Sequence, residues 1–142
     1  MVDKHVLRPA GVWDPANAGF DHSQPFSQGI VCNPGRMVFA AGQVALDESG
    51  AVIGVGDPAA QTEAALENLQ RVLNEGGATM SDVVRLTVFL TNMADLPAVQ
   101  EVRARYFPVD PPASSTIEIS ALVVPELLVE IDAIAVVDPP AP

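Results

Sequence analysis

A chain of 142 residues fits one domain, 1–142, and a hydrophobic content of 49% lets it build a core without disulfide or metal staples. Eighteen acidic against seven basic residues set the net charge at −11. The cations Lys4, Arg8, Arg36, Arg71, Arg85, Arg103 and Arg105 form no patch along the chain, which argues against nucleic acid as a partner.

The opening "MVDKHVLRPAGVWD" has basic residues but no uninterrupted apolar stretch after them, and no run approaches the ~20 residues of a membrane span. The expectation is a soluble, cytoplasmic protein with no membrane partner. One or two early strands are expected near "FSQGIVCN", with Cys32 as a buried, inert thiol. "MVFAAGQVAL" (37–46) reads as a buried strand, and Gly42 inside it signals a bulge or a close backbone approach. "DESG" then turns the chain into a short second strand, "AVIGVG" (51–56), giving a hairpin. Asp57 and Pro58 open a helix that runs through "AAQTEAALENLQRVLNE" and stops at Gly76-Gly77. Ala65, Leu69, Val72 and Leu73 form its apolar stripe, and Glu63, Glu67, Gln70 and Glu75 its wetter side.

"DVVRLTVFLTNM" (82–93) is a β-branched strand. A second helix starts near Pro97 and ends before Pro108, with Val99, Val102 and Tyr106 on one side. Loop 111–116 leads into a strand at 116–120, and "LLVEIDAIAVV" (127–137) is the last strand. The proline-rich tail 138–142 continues no element. In the last strand Val129, Ile131, Ala133, Ala135 and Val137 face one way, and Glu130, Asp132, Ile134 and Val136 the other. Both faces carry aliphatics, and two helices cover only one. A second copy of the chain is therefore expected on the other face, with Glu130 as an interfacial carboxylate. The fold class is α+β: about six strands in a mixed sheet with two helices on one face.

Metal-ligand spacing is absent, His5 and His22 are isolated, and there is neither a phosphate loop nor a nucleophile elbow. What remains is Gly42-Gln43, the loop "PPASST" and Glu130. With "PFSQGI", "FAAGQV", "ALENLQRVLNEGGATMSDVVRLTVFLTNMAD", "RYFPVDPPASSTIEI" and "LVEIDAIAV", the chain resembles the Rid family (YjgF/YER057c/UK114) over about residues 24–137. The resemblance implies a chorismate-mutase-like fold and a homotrimer whose sheets form a central barrel, with a small-molecule ligand in clefts between subunits. It also implies hydrolysis of enamines and imines, such as 2-iminopropanoate, to 2-oxo acids and ammonia, with no cofactor and no metal.

Carried over by resemblance, Glu130 is the catalytic carboxylate, orienting or deprotonating a water, and Phe26, Ala41, Ala94, Ser114, Ser115 and Thr116 line the ligand site. Ser114 stands where active relatives carry the arginine that clamps the substrate carboxylate. Phe26 replaces a tyrosine, Ala41 a small hydroxyl residue, and Ala94 an asparagine. Losing a desolvated guanidinium–carboxylate pair costs on the order of 2–5 kcal/mol, and a serine hydroxyl recovers only ~1 kcal/mol. With Arg103 and Arg105 taken as a solvated helix face, the expected ligand is neutral or cationic rather than a 2-imino acid. The alternatives are an authentic 2-imino acid deaminase, with Arg103 or Arg105 supplying the cation, and a non-enzymatic binder or chaperone-like trimer.

Overall fold

Nine residues, the first seven alternating between buried and half-exposed, form the strand around which the chain assembles. The structure, a computed structural model, describes residues 3–13 and 25–139. Its strands are β1 (Lys4–Leu7), β2 (Gly29–Cys32), β3 (Arg36–Val44), β4 (Val83–Leu90), β5 (Ala113–Glu118) and β6 (Val129–Val137), and its helices are α1 (Pro58–Glu75) and α2 (Leu96–Tyr106). The main sheet is mixed, in the order β3-β6-β4-β5, with only β4 and β5 parallel. A parallel pair needs a crossover, and α2 supplies it. The expected single sheet of about six strands is instead a sheet of four plus a separate antiparallel ribbon, β1-β2.

β6 lies inside the sheet, and its alternation decides what each face holds. Val129, Ile131, Ala133, Ala135 and Val137 join Leu86, Val88 and Leu90 of β4 in the core beneath the helices. α1 adds Ala65, Leu66, Leu69 and Leu73, and α2 adds Val99 and Val102. Each fully buried aliphatic side chain of this kind contributes about 1.5–3 kcal/mol. Cross-strand register puts Glu130, Asp132, Ile134 and Val136 on the other face, with Phe89, Thr87 and Arg85 of β4 and Phe39 and Met37 of β3. Phe39 is 67% exposed and Met37 52%. Among the described residues no helix covers this face.

The helix ends form as their residues require. Asp57 accepts the Ala60 N–H at 3.0 Å. At the other end Ala78 N–H reaches back to Leu73 O and Gly77 N–H to Asn74 O, closing the terminal carbonyls. The second hairpin strand expected at 51–56 does not form. Only a Leu46–Val52 bridge is made, because the chain turns at Gly54 and Gly56, both at positive φ. Cys32 is half-buried in β2 opposite Lys4, not enclosed in a core. His22 and residues 140–142 lie outside the described residues. Among those described, no helix is long and apolar enough to cross a membrane.

Two polar contacts lock the helices. Gln61 of α1 is fully buried. Its amide donates to Gly54 O and Glu126 O and accepts Leu128 N–H at 2.8 Å, fixing the approach to β6. Glu63 accepts from Tyr106 Oη at 2.6 Å and from Arg105 at 2.8 Å, tying α2 to α1. The Tyr106 hydrogen bond, with that of Arg105, holds the Glu63 carboxyl below its usual range, while Tyr106 itself is pushed up by burial and by Glu63.

Gln61→Leu strands one buried N–H and two carbonyls, so a loss of about 2–4 kcal/mol is expected, against less than ~0.5 kcal/mol for exposed Gln70→Ala. Urea midpoints check both. A carboxyl depressed in the folded chain stabilises it above the unfolded value, and that contribution fades as pH falls through the folded value. Glu63→Gln should therefore flatten the loss of stability between about pH 5 and pH 3.

Candidate functional site

Glu130 is half-buried on the sheet face away from the helices. Opposite it, β3 breaks register between Ala40 and Gln43, which brings Gly42 against the carboxylate. A Cβ added at Gly42 would fall 2.6 Å from both Cδ and Oε1 of Glu130. Glycine is therefore what lets the acid lie on the β3 backbone. Ala41 is exposed beside it, and its carbonyl accepts from the Gln43 amide at 3.0 Å.

The loop expected to hold ligand is built at the other edge of the sheet. Ser27 N–H donates to Pro112 O at 3.0 Å, its hydroxyl donates to Pro111 O, and a bridge joins Ser27 to Ala113. The "PFS" segment is thus stitched along the start of β5. Phe26 is half-exposed there, with its ring centroid 5.9 Å from that of Trp13. Within β5, register puts Ser114 beside Leu86 and Thr116 beside Val88, on the helix side, and Ser115 beside Thr87 on the open face. Ser115 accepts from Arg85 at 2.8 Å. Ile119 N–H donates inward to Leu90 O, so strand alternation turns the Thr116 N–H outward along the free edge of β5. Ala94 is exposed in the turn before α2, where the adjacent Met93 N–H is held by Glu118 at 2.7 Å.

The sequence offered Arg103 as a cation for this edge only under an alternative reading. Arg103 does not lie on a solvated helix face: it is 1% exposed. One terminal nitrogen, Nη2, donates to Ser114 Oγ at 2.9 Å and to Pro25 O at 3.2 Å. Its buried Nε has no hydrogen-bond partner. Burial pushes the guanidinium down to about 10, with no carboxylate among the described residues offsetting it, so the group is charged at neutral pH. Residues 99, 102, 103 and 106 follow the spacing of a helix's inner stripe, and that spacing was the available signal. Arg105, two positions on, does point outward, to Glu63.

One chain does not bring all these residues together. Phe26, Ser114, Ser115, Thr116, Ala94 and Arg103 gather around β5, whereas Ala41, Gly42 and Glu130 sit at β3 and β6. Glu130 aligns with Phe89, and Phe89 with Ile117, so Glu130 is two strands from β5, or about 10 Å. Arg103 and Glu130 lie on opposite faces of the sheet. Among the described residues no group of three or more His, Cys, Asp or Glu is arranged to hold a metal.

The fold and this distribution of groups define a small α+β protein with one helix-covered and one open sheet face. Residues 17–137 match the model of the family described as "Endoribonuclease L-PSP". The chain belongs to that family, also known as YjgF/YER057c/UK114 or Rid. It is 46% identical over 113 residues to protein DfrA of Myxococcus xanthus, covering 79% of this chain and 85% of that one. It is 40% identical over 100 residues to the 3-aminoacrylate deaminase RutC of Acinetobacter baylyi, covering 70% and 79%. The crystal structure of YyfB, a Rid-family protein of Yersinia pestis, superposes with a TM-score of 0.82 at 37% identity, over 94% of this chain and 98% of that one.

Gly42→Ala is expected to destabilise the fold by about 1–3 kcal/mol through overpacking against Glu130. In a Glu130→Ala background most of that cost should vanish, giving a coupling of at least ~0.5 kcal/mol in a double-mutant cycle.

Proposed function

We propose that the protein is a homotrimeric deaminase that hydrolyses a small imine or enamine in clefts between neighbouring subunits, without a cofactor. The observation that carries this reading is the Glu130 carboxylate, laid on the Gly42 backbone of an apolar sheet face that the helices leave uncovered. Membership of a family that includes a relative described as a 3-aminoacrylate deaminase supports the reaction class.

In this reading Glu130 accepts a proton from a water as its oxygen attacks the imine carbon. Glu130 returns that proton to the nitrogen to give the neutral carbinolamine; transfer of the hydroxyl proton to the nitrogen then expels ammonia, and a carbonyl compound remains. An enamine first takes a proton on carbon to become the imine. Phe26 walls the cleft, Ala41 and Ala94 leave room beside it, and Ser114, Ser115 and the outward Thr116 N–H are the donors. The two groups of residues lie at opposite sides of the sheet, so a cleft holding both draws β5 from one chain and β3-β6 from the next. A second copy on the open face also buries Phe39 and Met37.

A neutral or cationic substrate was expected on the premise that the loop has no guanidinium nearby. Arg103, bonded to Ser114, removes that premise.

The test generates an imine with an amino-acid oxidase and follows its loss. The wild type should accelerate ammonia release, and Glu130→Gln should lower kcat/KM by about 10²–10⁴. Ligand binding without turnover would make the protein a binder instead. Sedimentation should give a mass three times the 14.9 kDa chain. Phe39→Asp, which puts a charge on the face to be buried, should shift it toward monomer.

A further inference from the structure

We infer that Trp13 is a specificity-determining residue: with Phe26 it forms an aromatic wedge beside the β5 edge that receives a planar aromatic side chain of the substrate. This rests on the reading that the cleft binds a small imine and its carbonyl product, and it names the substrate class of that site.

The chain brings Trp13 there by a defined route. β1 ends at Leu7, which lies opposite Gly29 of β2. Val12 N–H then donates back to Pro9 O at 3.4 Å, and Gly11 takes a φ of 79°. This turn directs Trp13 onto Phe26. The ring centroids lie 5.9 Å apart, with the planes inclined by 34°. Trp13 precedes the residues that the family model matches, so the shared pattern does not require it.

Three observations make the pair a binding surface. The first is exposure. Trp13 is 45% exposed and Phe26 half-exposed, so each ring keeps apolar area that its own chain leaves uncovered. The second is shape. Inclined rings open a wedge rather than close a stack, and a third flat group can make offset contacts with both. The third is rigidity. Trp13 O accepts from the Gln28 amide at 2.8 Å. Pro25 O accepts from the buried Arg103 at 3.2 Å, and Ser27 is bonded to Pro111 and Pro112. The backbone is thus held at Trp13 and on both sides of Phe26. A ligand ring meets walls that are already ordered, so binding costs little further ordering entropy. Through Phe26 the wedge is continuous with the β5 edge that carries Ser114, Ser115 and Thr116.

The experiment measures calorimetric binding of 2-oxo-4-phenylbutanoate, 4-cyclohexyl-2-oxobutanoate and 2-oxobutanoate to the wild type, Trp13→Phe and Trp13→Ala. The three compounds share the reacting end and differ in the side chain. The wild type should bind the phenyl compound about tenfold or more tighter than 2-oxobutanoate, the size of burying one aromatic side chain. It should bind it about threefold tighter than the cyclohexyl compound, which cannot stack. Trp13→Phe should keep most of the first ratio. Trp13→Ala should bring it below about threefold, with the loss falling on the aromatic ligand. Trp13 is the chain's single tryptophan, so its fluorescence reports the contact directly. Emission should respond to the phenyl compound and not to 2-oxobutanoate.

A phenyl ratio near one in the wild type overturns the assignment, as does a ratio that survives in folded Trp13→Ala or an emission that ignores the phenyl compound. A Trp13→Ala chain that binds all three compounds equally less well, with a lower urea midpoint, overturns it too, since the ring pair would then only brace the fold. Should that variant not fold, wild-type emission and Trp13→Phe decide alone. Binding of none of the three at millimolar concentration overturns the wedge and the cleft together. Ammonia release that ignores Glu130→Gln, with the aromatic preference intact, would sink the hydrolytic reading and leave Trp13 its role; binding of 2-oxobutanoate without that preference would sink only the wedge.

Discussion

Strand β6 can satisfy only one of its faces from its own chain, and most of the molecule follows from that. Its two-residue period sends Val129, Ile131, Ala133, Ala135 and Val137 under α1, where they form the core with β4. The same period sends Glu130 and Asp132 to the far side, among Phe39, Ile134 and Phe89. A one-residue slip would exchange the two sets and place two carboxylates under the helices, so the register is strongly specified. The acid therefore stands on an exposed face of mixed character, where Phe39 and Met37 leave apolar surface suited to a second copy. Gly42 is the local adjustment that makes room for it.

The opposite edge of the sheet is organised by a charge. α2 lies on the core side, and a helix there would ordinarily present only aliphatics inward. It presents Val99, Val102 and Arg103. The guanidinium crosses the layer to reach Ser114 and Pro25, so it pins the start of β5 and the "PFS" segment to one another through α2. Ser27 completes the same junction through its bonds to Pro111 and Pro112. A hydrogen bond to a charged group contributes about 1.5–3 kcal/mol, so these contacts hold the β5 edge in shape. Preorganised donors of this kind stabilise developing charge without reorganising during the reaction.

Much of this was legible in the sequence because it rests on local rules. Helix α1 is bounded by Asp57-Pro58 and Gly76-Gly77, and both ends follow from capping chemistry. The two faces of β6 follow from alternation alone, and the bulge at Gly42 from a glycine inside a strand. The misreadings have physical causes. "AVIGVG" has strand composition, but Gly54 and Gly56 at positive φ turn it before a ladder can form. Arg103, expected on a solvated face, is a charged residue at an inner helical position, and Gln61 is a polar residue for which the sequence carried no expectation. Both are buried because tertiary partners meet them: the carbonyls of Gly54 and Glu126 for Gln61, and Ser114 and Pro25 for Arg103. Those partners are 7 to 78 residues away in sequence, beyond the reach of a local pattern.

In the proposed trimer each cleft is completed by two chains, Glu130 coming from one and the β5 edge with Arg103 from the next. Complementation tests it most directly. Glu130→Gln and Arg103→Met chains, each with low activity alone, are mixed, unfolded and reassembled together, and deaminase activity is measured against the unmixed controls. In a ring of head-to-tail interfaces, random mixing gives about a quarter of the clefts both intact halves, and activity should recover toward that fraction of wild type. Reassembled mixtures no more active than the average of their parents would contradict the account, because the two groups would then serve a site within a single chain.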